Sequence, residues 1–318
     1  MTDTGPLFVS SGDLIADRRY KWALDQAARG DFAAAADILG QTVSLAPAFA
    51  TAWFALGAIR DRLGDRIGAI AAFERARDAD PEDYHGARLQ LARLGSGDAT
   101  PPMSETYVRR LFDQYAARYD TALTERLAYR GPALIGDAVE RAARAAGRRF
   151  HFSTVLDLGC GTGLGGAVFR NAAGQLVGVD LSPAMVAQAE TKGLYDRLAT
   201  SDVVAFLAEE AAGGAQYDLV IAADVFVYVN DLAPIVASVA GVLAPAGLFA
   251  FTVETHAGDG VKLLPTLRYA HSESYLRRLL GDARLAPLSI AKASVRSERN
   301  VPVESLVVVA QGSDKATK

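Results

Sequence analysis

One cysteine and four histidines in 318 residues leave this chain little with which to bind a metal or staple itself together. A single thiol cannot close an internal disulfide, and Cys160 stands among the glycines of a turn, where it reads as a small space-filler rather than a nucleophile. His85, His151, His256 and His271 are scattered, and no cysteine or histidine cluster has ligand spacing, so no metal is expected. No apolar run reaches the roughly 18 residues of a spanning helix, and Met1-Thr2-Asp3-Thr4-Gly5-Pro6 has no basic segment ahead of an apolar one. No membrane partner and a cytoplasmic location are therefore expected. Charge of one sign is scarce too: 33 basic against 37 acidic side chains leave a net −4, which argues against a broad nucleic-acid footprint. What is present is apolar mass, half of all residues, enough for two ordinary cores.

After a tail to about Asp13 that shows no periodicity, alanine-rich helical patterning runs from Leu14 to about Leu94 and repeats itself. Gly30-Asp31 returns as Gly64-Asp65 and Pro47 returns as Pro81, in each case 34 residues on. That period belongs to paired-helix solenoids, and Trp53, Leu56, Gly57, Ala69, Phe73 and Pro81 stand in the order of the tetratricopeptide pattern, with Arg60 where an aromatic is usual. Leu56 and Gly57 should meet Ala69 and Phe73 across a helix pair. The first unit is more degenerate, with Trp22, Ala23, Ala35, Leu39 and Pro47, and Tyr84 to Leu94 offers a single helix. A generic helical bundle is the alternative. Two repeats and a cap fall short of the roughly three that stand alone, so the array is expected to lean on the following domain or on a second chain.

Gly95 to Pro102 punctuates the chain with turn formers, which divides it into a helical domain over 14–95, a linker over 96–103 and a second domain over 104–312. Ser104 is placed to cap a helix carrying Tyr107, Val108, Leu111, Phe112, Tyr115 and Tyr119 on one face, a candidate lid over a small charged ligand. A second amphipathic helix, about Ala133 to Ala146, leads to the stretch Val155-Leu156-Asp157-Leu158-Gly159-Cys160-Gly161-Thr162-Gly163. An apolar strand breaks there into alternating glycines and opens a helix. Strand patterns recur at Gln175–Asp180, near Leu198, at Tyr217–Ala223 and at Gly247–Val253, mostly separated by helices. Two more, Leu288–Ala293 and Val303–Ala310, are joined through Ser297-Glu298-Arg299-Asn300. This order predicts an α/β, Rossmann-like, mostly parallel sheet of seven strands with an antiparallel terminal hairpin.

Taken together, the glycine turn, Val179-Asp180, Ser201-Asp202-Val203 and Tyr217 to Asp224 resemble a class I S-adenosylmethionine-dependent methyltransferase. With the repeats in front, residues 15 to 312 resemble the bacterial predicted methyltransferases that contain tetratricopeptide repeats. The resemblance implies S-adenosylmethionine as cofactor and S-adenosylhomocysteine as product. Asp157 offers a carboxylate to the donor's ammonium beside a turn formed by Gly159, Cys160, Gly161 and Gly163. Asp180 ends the second strand where an acid can take both ribose hydroxyls. By resemblance Asp202 takes the adenine amino group, the Val203 N–H faces a ring nitrogen, Leu181 packs on the nucleoside, and Ala223 borders the donor. Helix capping is the competing role for each acid. Tyr115, Arg118 and Tyr119 are candidates for the donor's carboxylate.

Gly161-Thr162-Gly163-Leu164-Gly165-Gly166 also satisfies the dinucleotide fingerprint, but a dehydrogenase would need a hydride-transfer partner, and no such motif follows. A base, where one is used, is sought at the ends of the fourth and fifth strands: Asp224, Tyr228 and His256, the last equally readable as a bystander. The sequence Ala223-Asp224-Val225-Phe226 departs from the Asn- or Asp-Pro-Pro-aromatic motif of nucleic-acid and amide N-methyltransferases, which lowers the odds of a nitrogen acceptor. The interval Thr255 to Tyr269 reads as an apolar cap suited to a small molecule or a carrier-bound acyl group. A small hydroxyl or carboxyl acceptor is expected, with the repeats serving dimerisation or delivery. The rival is an interaction module whose repeats grip a peptide that the second domain methylates.

Overall fold

A computed structural model describes residues 8–121, 129–298 and 301–313; Met1 to Pro6, and Arg299 and Asn300 of the expected hairpin connection, lie outside them. The chain divides into two compact units. One runs to Tyr107 and includes Leu263–Leu267, and the other comprises Val108–Lys262 and Arg268 onward.

The first unit is all helix: α1 (Leu14–Ala28), α2 (Phe32–Leu45), α3 (Ala50–Arg62), α4 (Arg66–Ala79) and α5 (Ala87–Arg93). The recurring Gly-Asp pair is a helix stop followed by a helix start. Gly30 and Gly64 take φ of +88° and +81°, which a Cβ resists, and end α1 and α3. Asp31 and Asp65 then cap α2 and α4 by accepting from the N–H groups of Ala34 at 3.0 Å and Gly68 at 2.9 Å. Gly57 is small for the expected reason, since a Cβ there would stand 2.7 Å from the Phe73 ring. Phe8, in the segment expected to be a loose tail, instead packs its ring 5.5 Å from Tyr20 and 6.3 Å from Phe49. Val9 N–H bonds Thr51 Oγ1 at 3.2 Å.

In the second unit α6 (Glu105–Tyr115), whose first three residues belong to the helical unit, is capped by Ser104 Oγ at Tyr107 N, 3.1 Å. The turns Ala116–Arg118 and α7 (Tyr119–Thr121) follow, then α8 (Gly131–Ala145). Beyond them lie β1 (Phe152–Leu158), α9 (Leu164–Phe169), β2 (Ala173–Asp180), α10 (Pro183–Lys192), β3 (Arg197–Thr200), α11 (Val203–Ala212), β4 (Tyr217–Ala222), α12 (Ala233–Val242) and β5 (Leu243–Glu254). β6 (Val261–Leu263), β7 (Tyr269–His271), α13 (Glu273–Asp282), β8 (Ala286–Glu298) and β9 (Val301–Gln311) complete the order. The sheet runs β3-β2-β1-β4-β5-β7-β6, with β9 antiparallel to both β5 and β8. Among the described residues it holds nine strands rather than the expected seven. β6 lies within, and β7 begins at the end of, the interval Thr255 to Tyr269 read as a cap, each of three residues and too short to show alternation.

One face of the sheet packs Leu156, Val177, Val220 and Phe249 against Phe206, Ile235, Val236 and Val239. The other packs Val155, Leu176, Leu219 and Ile221 against Ile135, Val139 and Phe169. Because β2 and β4 flank β1, the chain reverses its direction of travel across the sheet at β1, and the carboxyl ends of β1 and β4 form the switch point at which open α/β sheets take their ligands. Among the described residues no helix is long and apolar enough to cross a membrane, and no group of histidine, cysteine and acidic side chains could hold a metal ion.

Candidate functional site

The turn after β1 is a run of left-handed glycines: Gly159, Gly161 and Gly163 have φ of +63°, +54° and +92°. At Gly159 a Cβ would also collide with Val225, 2.5 Å away. Between them Cys160 is buried, its N–H bonded to Val179 O at 3.0 Å, as a space-filler requires.

Asp157 and Asp180 end two neighbouring strands beside this turn. Asp180 Oδ2 accepts the Gly161 N–H at 2.9 Å and Oδ1 accepts that of Ser182 at 2.8 Å. Burial nevertheless lifts its pKa above the ordinary carboxylate value. Asp157 is 2% exposed, and burial pushes its pKa up to about 7 although a hydrogen bond from Tyr195 works the other way. That bond runs from Tyr195 Oη to Asp157 Oδ2 at 2.6 Å. Asp202 takes up the capping role weighed for it, its Oδ1 accepting from Val204 N at 2.8 Å and Ala205 N at 3.0 Å to start α11. Leu181, Val203 and Ala223 are half-buried at the tips of β2, α11 and β4.

Above the turn lies the segment expected to be a lid. Asp113 Oδ1 accepts Ser182 Oγ at 2.5 Å, Asp120 pairs with Lys192 Nζ at 2.6 Å and accepts Thr162 Oγ1 in a very short bond. Phe112 sets its ring edge-on to Tyr119 at 6.1 Å and to Tyr228 at 5.1 Å. Of the three side chains proposed for the donor's carboxylate, Tyr119 faces the glycine turn, its ring 3.9 Å from where a Gly161 Cβ would stand. Tyr115 is half-buried and Arg118 is exposed. Burial raises the Tyr119 and Tyr129 pKa values, and the negative charges of Asp224, Asp180 and Asp157 add to the effect. The chamber is thus aromatic and acidic.

The three base candidates part company. Asp224 adopts φ +61°, held by its N–H to Thr252 Oγ1 at 2.8 Å. Both of its carboxylate oxygens take Arg296 Nη1, at 2.5 and 2.7 Å. Arg296 is 1% exposed and also bonds Glu254 closely and Glu298 at 3.2 Å, while Arg268 joins Glu298 and lies 3.6 Å from Glu254. Burial works against the Arg296 charge, but Asp224 and Glu254 outweigh it and keep the guanidinium protonated. Tyr228, in the one-turn helix Phe226–Tyr228, has its pKa raised by burial. His256 is turned away to its own loop, with Nε2 3.2 Å from Gly260 O and Nδ1 accepting the Gly258 N–H at 3.1 Å. It lines a cleft of about 650 Å³ with Glu273, Lys292 and Glu304, and neither Asp224 nor Tyr228 lines that cleft.

Sequence reasoning missed Tyr195 and the Arg268–Arg296–Glu254–Glu298 cluster. The arginines and glutamates alternate on hairpin strands and in a loop as solvated residues do, so only the pairing of β5 with β9 and β8 with β9 reveals their burial.

Comparison with known proteins agrees with this geometry. Residues 156–249 match a family described as a methyltransferase domain. The human methyltransferase-like protein 27 is 38% identical over 109 residues, covering 34% of this chain and 42% of that one. Malonyl-[acyl-carrier protein] O-methyltransferase of Enterobacter lignolyticus is 32% identical over 154 residues, covering 46% of this chain and 57% of that one. The chain therefore spans about half the length of these curated relatives. A solved structure, the 1,6-didemethyltoxoflavin N1-methyltransferase of Burkholderia thailandensis with bound 1,6-didemethyltoxoflavin and S-adenosylhomocysteine, shares the fold. Its TM-score is 0.53 at 20% identity, covering 69% of this chain and 94% of that one. The stretch that matches the methyltransferase-domain family lies in the second unit, on a Rossmann-like, mostly parallel sheet.

Proposed function

We propose that the protein is a class I S-adenosylmethionine-dependent methyltransferase that methylates a hydroxyl or carboxyl group on a small-molecule or carrier-bound acceptor and releases S-adenosylhomocysteine. The observation that carries this reading is the pair of acids on neighbouring strand tips, the buried Asp157 and the half-buried Asp180, around a left-handed glycine turn. A donor with a sulfonium, an ammonium and no phosphate suits those acidic, aromatic surroundings; Asp180 would serve the ribose of either cofactor, but a dinucleotide would set its pyrophosphate beside the Asp157 carboxylate. Asp157 takes the ammonium and Asp180 the ribose hydroxyls. Asp202 keeps Oδ2 for the adenine amino group beside the Val203 N–H, with Leu181 on the nucleoside face and Tyr119 closing the methionine end.

The sulfonium already activates the methyl group, so the protein contributes alignment and exclusion of water, and orientation alone is worth roughly 7–11 kcal/mol. Base catalysis has weak support. Asp224 is committed to Arg296, Tyr228 is a phenol made harder to ionise by burial, and His256 faces another cleft. An acceptor oxygen that is nucleophilic at neutral pH without deprotonation fits best, which favours a carboxylate over an alcohol. The name of the Enterobacter relative, with its malonyl carrier and O-methylation, points the same way. We read the helix pairs of the first unit as tetratricopeptide repeats that serve self-association or a protein partner, in a cytoplasmic protein. A shallow depression in that unit, lined by Ala36 and Gly40 as well as Asp37, Gln41, Ser44 and Arg60, is where such a partner would be sought.

The test is transfer of labelled methyl from the donor into a fractionated lysate. Label released by mild alkali from small molecules or from a carrier is the expected result; alkali-stable incorporation into protein alone would overturn the acceptor assignment.

A further inference from the structure

Asp180 and Asp202 hold their carboxylates with backbone N–H groups, whereas Asp157 takes a side chain delivered from another part of the fold. Tyr195 stands just after α10, in Gly193-Leu194-Tyr195-Asp196, and its backbone is fixed on both sides. Asp196 N–H bonds Leu176 O at 2.8 Å and Asp196 Oδ2 accepts the Leu176 N–H at 2.7 Å. Arg170 Nη1 reaches Leu194 O at 3.0 Å and Asp196 Oδ2 at 2.7 Å.

From that anchor the ring passes through a slot cut by three glycines. A Cβ would stand 3.2 Å from it at Gly163, 2.8 Å at Gly166 and 2.9 Å at Gly178. The hydroxyl at the end accepts the Gly166 N–H, 3.0 Å, in the first turn of α9, and donates to Asp157 Oδ2. Gly165 leaves room for that same oxygen, which a Cβ would approach to 2.4 Å. Gly166, the last glycine of the dinucleotide-like spacing, is therefore small here to admit a tyrosine.

We propose that Tyr195 is a positioning residue for the methyl donor: its hydroxyl pins Asp157 Oδ2, keeps the carboxylate charged and leaves Oδ1 to the donor's ammonium. This rests on the reading of the turn as a donor site. Burial raises the Asp157 pKa, the Tyr195 hydroxyl lowers it and the neighbouring Asp180 charge raises it, which sets it near neutrality; without the hydroxyl it would hold its proton to higher pH. Donor affinity then depends on pH through Asp157, and Tyr195 sets where.

The experiment is calorimetric titration of the full chain with S-adenosylhomocysteine from pH 6 to 8.5, for wild type, Tyr195→Phe, Asp157→Asn and the double variant, with thermal unfolding as the check on folding. Wild-type affinity should fall as pH drops through about 7. In Tyr195→Phe the midpoint should move up by about one pH unit and affinity at pH 7 should drop about 5-fold, recovering toward pH 8.5. Asp157→Asn should bind weakly and without pH dependence, and adding Tyr195→Phe to it should cost nothing further. This last comparison carries no buried charge and remains open if Tyr195→Phe alone does not fold. An equal loss at every pH in Tyr195→Phe, or an unchanged profile, or a further loss in the double variant, overturns the role of Tyr195 while the donor site stands. No binding to wild type at any pH overturns the donor site and the proposal with it.

Discussion

Replacing Arg296 with Met should be among the most damaging single changes in the second unit, and its pH dependence follows from the charges around it. Arg296 is 1% exposed and touches Asp224, Glu254 and Glu298, so its loss strips Asp224 of its guanidinium and leaves Glu254 and Glu298 to that of Arg268. Removing one partner of a buried ion pair costs roughly 3–5 kcal/mol, because the abandoned charge stays desolvated. For a unit of about 200 residues that corresponds to a fall in Tm of about 6–20 °C. Burial already raises the Glu254 pKa in spite of Arg296. Glu298, which burial would also raise, is held below its ordinary value by Arg268 and Arg296. Without Arg296 both move up, so the folded variant binds more protons and its stability falls as pH rises through the raised values. Scanning calorimetry at pH 5 and pH 8 should show the smaller deficit at pH 5. A variant as stable as wild type at pH 8, or one whose deficit grows on acidification, would refute the reasoning. Asp224→Asn combined with Glu254→Gln should recover much of the loss in the Arg296→Met background.

Asp180→Ala should weaken S-adenosylhomocysteine binding about 100-fold or more, since it removes a charged acceptor for two hydroxyls and strands the Gly161 and Ser182 N–H groups; isothermal titration reads this directly. His271 and His85 are buried with Nδ1 unpartnered, and burial pushes each pKa down to about 4. Because the unfolded chain protonates first, stability should be full above about pH 6.5 and fall toward pH 4, by up to roughly 3 kcal/mol for each site, as urea midpoints against pH will show. Gly57→Ala should destabilise the helical unit by about 1–3 kcal/mol, because its Cβ would enter the Phe73 ring; an unshifted helical unfolding transition would contradict that packing.

The sequence made the backbone of the second unit legible because fully buried parallel strands are written as short apolar runs. Thr154–Leu158 and Gln175–Asp180 fall inside β1 and β2 as built. The 34-residue recurrence was legible for a physical reason as well, the left-handed glycine and the capping aspartate being needed at every helix pair. Side-chain commitments between distant segments were not legible. Asp224 looked like a free strand-tip acid until β8 delivered Arg296 to it, 72 residues on, and His256, weighed as a base against a bystander, has both ring nitrogens turned into its own loop. Tyr195 carried no signal alone. Its slot exists only once Gly163, Gly166 and Gly178 are folded side by side.

The most direct test is a calorimetric titration of the intact chain with S-adenosylhomocysteine, run beside one with NADH. Saturable binding of the first with a negative heat-capacity change, weakened about 100-fold or more by Asp180→Ala, and no heat from the second, is the predicted result. Binding of NADH at the glycine turn, or none of S-adenosylhomocysteine, would contradict it.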